Sequence, residues 1–219
     1  MPAAPFPRQA AVSSWFDTGV AQQLLQAEQP LILDALLGRP AQPWLWLAPL
    51  PFAPLAHELP GRGMRLHRTV RGYAGDLVCT LPLPLPSESL GAIVLQHVLG
   101  ADAAALLEEC ERVLLPGGCI WLFALNAMSP YRLRWRRQGL VARPPGSWRG
   151  LLEQAGLPCT DPLRYLGPVW PTRGAAGAAP SGAPLRAVCL LQAEKRSAAG
   201  IGPIALRAPI RWRGSAVSI

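Results

Sequence analysis

Two apolar runs in the middle of this 219-residue chain lead into side chains that could orient a ligand. The first, Leu90 to Leu99, carries Gln96 and His97; the second, Ile120 to Leu125, runs into Asn126 and, three residues on, Ser129. An imidazole, an amide and a hydroxyl each donate and accept hydrogen bonds, which suits them to holding a substrate in place. They have quieter uses too: Ser129, ahead of Pro130, is placed to cap a helix, and His97 to pack within a sheet. No spacing in the chain announces a catalytic acid–base dyad. His57 and His67 lack partners at metal-ligand spacing, so no metal site is expected. Residues 131–149 carry different chemistry, with six arginines and no acid interleaved with Tyr131, Trp135 and Trp148. Arginines beside aromatics bind phosphates and stack on bases, and the same composition describes a lid over an active site or a solvated helix face.

For the two runs to present their polar ends together, they must be neighbours in space. Between them Ala105, Leu106, Cys110, Val113 and Leu114 recur at helical spacing, with Glu108, Glu109, Glu111 and Arg112 on the other side. Asp102 places an acid at the helix N-terminus, and Pro116, Gly117 and Gly118 stop the helix. Strand, helix, strand predicts a right-handed βαβ unit with parallel strands, and so an α/β fold. In such sheets ligands bind beyond the carboxyl ends of the strands, the side expected to carry Gln96, His97, Asn126 and Ser129.

The flanking chain reads consistently with that unit. Asp17 to Leu37 predicts a helix with Val20, Leu24, Leu25, Ala27, Leu31, Ile32, Ala35 and Leu36 inward and Gln22, Gln23, Gln26 and Glu28 opposite. Asp17 or Thr18 would cap it, Pro30 kink or divide it, and Gly38 with Pro40 stop it. Trp44–Ala48 and Met64–Val70 are predicted strands, and Asp76–Thr80 a third strand or its approach. Ser147 to Gly156 predicts a helix capped by Ser147, followed by strands at Cys159–Leu166 and Leu185–Ala193.

Leu83-Pro84-Leu85-Pro86 with Glu88 and Ser89, then Val94-Leu95, His97-Val98-Leu99 and the run Arg112 to Gly118, resemble the late half of class I S-adenosylmethionine (SAM)-dependent methyltransferases, in particular their type 11 domain. Trp15-Phe16-Asp17-Thr18-Gly19 and Leu125-Asn126-Ala127-Met128-Ser129 resemble a small bacterial branch of that superfamily. The resemblance implies a Rossmann-like sheet, mostly parallel with a final antiparallel strand and with helices on both faces. It implies SAM as cofactor and methyl transfer to an acceptor the sequence does not name. Displacement at a sulfonium methyl proceeds by positioning and desolvation, so it requires no invariant acid–base pair. His97, Asn126 and Ser129 would orient the substrate. By position, the cofactor would lie against Leu47, Ala48 and Pro49 after the first strand, Cys79 and Thr80 after the third, and Gln96 and His97 at the fourth.

The first half departs from the family pattern. Where a glycine-rich turn usually lets the backbone approach the cofactor, this chain has Ala48-Pro49-Leu50-Pro51-Phe52-Ala53-Pro54, with no glycine between Gly38 and Gly61. No acid stands between Glu58 and Asp76 to hold ribose hydroxyls, Cys79-Thr80 replaces the usual Asp-Ala pair, and Gly100 replaces an acid. The alternative is therefore a methyltransferase-like binding or interaction protein with impaired catalysis, with nucleic acid as the partner of residues 131–149.

The formal charge is +8 and the chain is 50% hydrophobic, enough for one sizeable core. The basicity is concentrated in residues 131–149 and in 195–219, which carry five basic groups and no acid. Residues 1–12 read as a loose lead-in and 13–195 as the domain, with a flexible connection at 171–184 and a disordered basic tail at 196–219. Cys79, Cys110, Cys119, Cys159 and Cys189 form no C-x-x-C pair, which points to reduced thiols and a cytoplasmic compartment. The longest apolar run, Pro43 to Ala56, is interrupted by prolines, so no membrane span is expected.

Overall fold

Trp44–Ala48 forms a strand, β1, whose five residues are all buried. Its alternate side chains enter two different cores: Trp44, Trp46 and Ala48 one, Leu45 and Leu47 the other. A strand covered on both faces must be apolar throughout, which is why Trp-Leu-Trp-Leu-Ala shows no polar alternation. The computed structural model describes residues 15–38, 42–52, 61–169 and 183–196. Residues 1–12, most of the connection 171–184, the tail beyond Arg196, His57 and Pro40 lie outside them.

Helix α1 (Gly19–Leu37) precedes β1, and strands β2 (Gly63–Thr69) and β3 (Gly72–Gly75) follow it. Then come β4 (Leu90–Gln96), helix α2 (Ala103–Val113), β5 (Leu114–Leu125) and the short helix α3 (Arg132–Arg137). Helix α4 (Pro145–Gln154) and strands β6 (Arg164–Leu166) and β7 (Val188–Glu194) complete the described fold. The seven strands form one sheet in the order β3-β2-β1-β4-β5-β7-β6. β1 pairs in parallel with β2 and β4, and β4 in parallel with β5; β7 runs antiparallel to β5. The expected mostly parallel sheet with a final antiparallel strand is present, and β3 is antiparallel as well.

The two faces are built differently. On one, Ala21, Leu24, Ile32 and Leu36 of α1 pack on Trp44, Trp46, Val94 and Phe123. On the other, Leu106, Cys110 and Val113 of α2 and Trp148 and Leu152 of α4 pack on Leu45, Leu47, Ile93 and Leu95. Each of these fully buried large aliphatic side chains contributes about 1.5–3 kcal/mol of transfer free energy. No helix among the described residues is long and apolar enough to cross a membrane.

Several local expectations are corrected. Asp76–Thr80 is not a strand: after β2 the chain turns back as β3, and Cys79 returns to pair with Tyr73. The Asp76 carboxylate accepts the Arg65 backbone N–H at 2.7 Å, which closes that hairpin. The α2 stripe uses Ala103 and Leu107 in place of Ala105, which is exposed. That helix ends at Val113, and Pro116-Gly117-Gly118 instead forms an irregularity inside β5, where the register with β4 shifts between Leu90 and Ala92. α1 runs undivided through Pro30; Thr18 is its N-cap residue, but the hydroxyl turns back to the Trp15 carbonyl at 2.7 Å. α4 begins two residues before Ser147, with Pro144 at the N-cap and Pro145 leading the first turn, where a missing N–H costs nothing. Gly156, at φ +82°, ends it as expected.

Candidate active site

β4 ends at Gln96, and the next residue, His97, takes a left-handed backbone conformation with φ +53°. That conformation is uncommon for any residue but glycine, and such positions cluster where a side chain is held for a purpose. The His97 N–H is fastened to the Phe123 carbonyl of β5 at 2.9 Å, so the turn is tied to the neighbouring strand. The imidazole stacks obliquely on Phe16, with ring centroids 5.3 Å apart.

The partner of His97 is Glu28, whose Oε1 lies 2.9 Å from Nε2. Both side chains are buried, at 0% and 1% exposure. Glu28 Oε2 also accepts the Gln96 side-chain amide at 2.8 Å, and Gln96 Oε1 accepts the Trp46 indole N–H at 3.2 Å. Sequence reasoning placed Glu28 on the solvent side of α1, and that is overturned. The signal that finds it is the spacing 21, 24, 28, 32, 36, a single stripe in which Glu28 is the one polar member.

The donor inventory fixes the orientation of this chain of contacts. An indole only donates, so Gln96 must turn its oxygen to Trp46 and its NH₂ to Glu28. A carboxylate only accepts, so His97 must carry its proton on Nε2. The opposite nitrogen, Nδ1, is buried and has no partner among the described residues.

His97 lines a cavity of about 230 Å³ at the carboxyl ends of β4 and β5, together with Phe16, Arg68, Asp102, Leu140 and Trp148. Gly139, Leu140, Val141 and Trp148 of the arginine-rich segment are among its lining residues. Trp148 is buried, and its indole N–H, like His97 Nδ1, lacks a partner among the described residues. Arg68, near the end of β2, grips Asp102 with two contacts of 2.9 Å and donates to the Val98 carbonyl at 2.8 Å. It also lies 5.7 Å above the Tyr73 ring, whose hydroxyl is pushed well above its usual range by burial, against the opposing pull of Arg68. Asp102 does head α2, but its carboxylate serves Arg68 and makes no capping bond to the helix.

A second cavity, of about 390 Å³, lies at the end of β1 under α1. Gln22, Gln26, Gln29, Ala48, Pro49 and Gln96 line it. Gln96 thus lines this cavity and its neighbour His97 the other, with Glu28 bonded to both side chains. Tested against SAM, the lining fits the amino-acid end: side-chain amides donate and accept, so they can meet both an ammonium and a carboxylate. The turn itself differs from a glycine-rich one, because Pro49, Pro51 and Pro54 offer no N–H.

The other candidates lie elsewhere. Leu47 is fully buried in the core. Cys79 and Thr80 sit at the β3 hairpin and line neither cavity. The Asn126 amide is fully engaged, donating to the Pro184 and Arg186 carbonyls at 2.7 and 2.8 Å and accepting from the Met128 N–H at 3.0 Å. Ser129 is buried, its hydroxyl accepting the Tyr131 N–H at 3.3 Å, close to the capping role open to it. Neither joins His97 in its cavity. Tyr131, Trp135 and Trp148 are 2%, 0% and 1% exposed, so none of them presents a face to a nucleobase. Arg132, Arg134, Arg136 and Arg137 are exposed on α3. Among the described residues no group of three or more His, Cys, Asp or Glu could hold a metal ion.

No family model and no curated protein matches the chain. Solved structures do. A SAM-dependent methyltransferase from Thermotoga maritima superposes with a TM-score of 0.51 at 12% identity, covering 86% of this chain and 100% of that one. The 1,6-didemethyltoxoflavin-N1-methyltransferase of Burkholderia thailandensis gives 0.53 at 15%, covering 90% and 93%. Geranyl diphosphate C-methyltransferase from Streptomyces coelicolor gives 0.53 at 10%, covering 89% and 100%. At these identities the likeness is one of fold: this chain has the Rossmann-like architecture of SAM-dependent methyltransferases.

Proposed function

We propose that the chain is a SAM-dependent methyltransferase, of the type 11 kind and its small bacterial branch, acting on a small-molecule acceptor. The observation that carries this reading is the pair of cavities flanking Gln96 and His97 at the carboxyl ends of the parallel strands. That is where open α/β sheets bind their ligands. Gln22, Gln26, Gln29 and Gln96 would hold the amino-acid end of SAM, beside Ala48 and Pro49. When bound, SAM supplies an electrophilic methyl group on a sulfonium. The chain's own contribution would be a mostly apolar chamber with Arg68 and Asp102 as its charged lining residues.

A second reading is favoured by Arg68. It stands near the end of β2, where a ribose-binding carboxylate is usual in the resembled family, and its guanidinium is already engaged with Asp102. This supports a methyltransferase-fold protein that binds a ligand without transferring a methyl group. Calorimetric titration of the full chain with SAM and S-adenosylhomocysteine separates the two. Saturable binding, weakened by Gln26→Leu, supports the enzyme; a folded protein with no binding supports the second reading. Nucleic-acid binding by Arg132, Arg134, Arg136 and Arg137 would rest on charge alone, and a steep fall of affinity with salt would reveal it.

A further inference from the structure

We infer that α3 and the turn before it form a docking surface for an anionic phospholipid bilayer. Leu133 and Met128 enter the lipid, and Arg132, Arg134, Arg136 and Arg137 meet its headgroups. The inference stands apart from the methyltransferase reading and does not require SAM to bind. It begins from Arg-Leu-Arg-Trp-Arg-Arg, a helix whose orientation one residue fixes. Trp135 is fully buried, stacked on Tyr131 with ring centroids 5.8 Å apart and edge-on to Trp15 at 5.7 Å. At about 100° per residue, the direction opposite Trp135 falls between Leu133 and Arg137, with Arg134 and Arg136 on its flanks. Leu133 is accordingly 62% exposed. Met128, 49% exposed, lies at the base of α3 in a shallow depression shared with Pro130, Arg132 and Pro144.

The charge on this surface has no counterpart nearby in the sequence. Residues 131–149 contain no acid, and none of the four α3 guanidinium groups is in an ion pair among the described residues. Arg68, Arg112 and Arg164, by contrast, are each paired with a carboxylate. Arg132 and Arg136 stand four residues apart and Arg134 and Arg137 three, spacings at which like charges on a helix repel. Such a cluster is complementary to a dense array of negative charge.

Nucleic acids and anionic membranes both present that array, and the apolar tip decides between them. Leu133 has nothing to meet on a phosphate backbone, and Tyr131 and Trp135, the aromatic side chains that could stack on bases, are buried. At a bilayer surface, leucine and methionine leave water while arginine heads stay with the phosphates and their stems lie along the apolar layer. A helix of six residues is too short to fold on a membrane by itself. Here the aromatic packing beneath it forms the surface before lipid arrives, so docking costs little ordering. A patch of this size gives reversible attachment that salt weakens. Two residues beyond α3, Gly139 and Leu140 line the cavity at the end of β4, so docking would hold that cavity near the bilayer.

The test is co-sedimentation of the full chain with vesicles of phosphatidylglycerol and phosphatidylcholine in equal parts, beside vesicles of phosphatidylcholine alone and an RNA duplex. Binding to the mixed vesicles is expected, and none to the uncharged ones. Residues 195–219 are basic as well, so the surface is assigned from variants of α3. Arg134→Gln combined with Arg137→Gln should weaken vesicle binding by at least tenfold, at about fivefold for each charge removed. Leu133→Ser leaves the charge unchanged and should weaken vesicle binding about threefold or more while leaving RNA binding unmoved. No binding to the mixed vesicles, equal binding to the uncharged ones, unchanged binding in either variant, or tighter binding to the RNA duplex than to the vesicles would each overturn the proposal. Hydrogen exchange of the wild-type chain gives a reading free of any substitution. Mixed vesicles must slow exchange across residues 128–137, and unaltered exchange there would equally refute the docking surface.

Discussion

Glu28 and His97 are 69 residues apart in the chain and 2.9 Å apart in the fold. A helix that otherwise buries only apolar side chains delivers one carboxylate to the end of β4, where it receives both Gln96 and His97. Isolated buried charges are costly, so this contact holds only because every atom of the carboxylate is met by a donor.

Glu28→Leu should therefore destabilise the protein by about 3–5 kcal/mol, because it leaves the imidazole and the Gln96 amide facing hydrocarbon. Against a total stability of roughly 5–15 kcal/mol for a domain, that is a large fraction. Urea denaturation of wild type and variant, at constant m-value, measures it. A change below about 1 kcal/mol would contradict the burial described for this pair.

Arg68→Lys retains the charge but not the planar fork that meets both Asp102 oxygens and the Val98 carbonyl. The expected loss is about 2 kcal/mol, together with faster amide exchange in residues 98–102. Hydrogen-exchange mass spectrometry reads the second effect separately from the first. Unchanged protection in that loop would show that Arg68 does not hold it.

Acid should act through Glu109, held below the usual carboxylate range first by its hydrogen bonds from Arg112 and also by the Leu83 backbone N–H. A depressed carboxyl stabilises the fold above its unfolded pKa, and that stabilisation is lost as pH falls through the lower folded value. Glu109→Gln should thus lower the melting temperature at neutral pH, with wild type and variant converging as the pH drops below about 4. The pair is partly exposed, so the difference will be small and will shrink with added salt.

The five cysteines should divide into two classes. Cys110, Cys119 and Cys189 are buried, and burial raises the Cys189 thiol to about 12 and the Cys110 thiol further. Cys79 and Cys159 are partly exposed, and burial raises both thiols less completely. A neutral-pH thiol titration of native protein should count two slow reactive groups, and five after unfolding. Three or more native reactive thiols would mean that one of the two cores opens readily.

Much of the architecture was legible. Trp44–Ala48 and the unit from Leu90 to Leu125 stand out because doubly covered parallel strands leave an unbroken apolar run, and α2 because its stripe keeps helical period. The hairpin at β3 was not legible, since Gly72–Gly75 is too short for a period and Asp76–Thr80 has equal strand propensity. Gln96 and His97 were expected at the carboxyl end of a strand, and β4 does end there. Glu28 was missed because a helical wheel sorts residues by polarity, and a buried carboxylate is recognised only through its partners on another element. Asn126 and Ser129 share the residue types of ligand contacts, and only the positions of Pro184, Arg186 and Tyr131 show that their polar atoms are already engaged.

The strand order β5-β7-β6 governs how the chain can assemble. Among the described residues β6 pairs only with β7, so it has no described strand to join until residues 188–194 have been made and inserted between it and β5. During synthesis the β1-β2-β4-β5 half can pair first, leaving the free edge of β5 exposed to any other extended segment. Closing that edge requires contacts between residues far apart in sequence, such as Cys119 with Glu194, which makes it a slow step. A ribosome-stalled chain ending before Val188 is thus the form in which this protein is most prone to pair with the wrong strand.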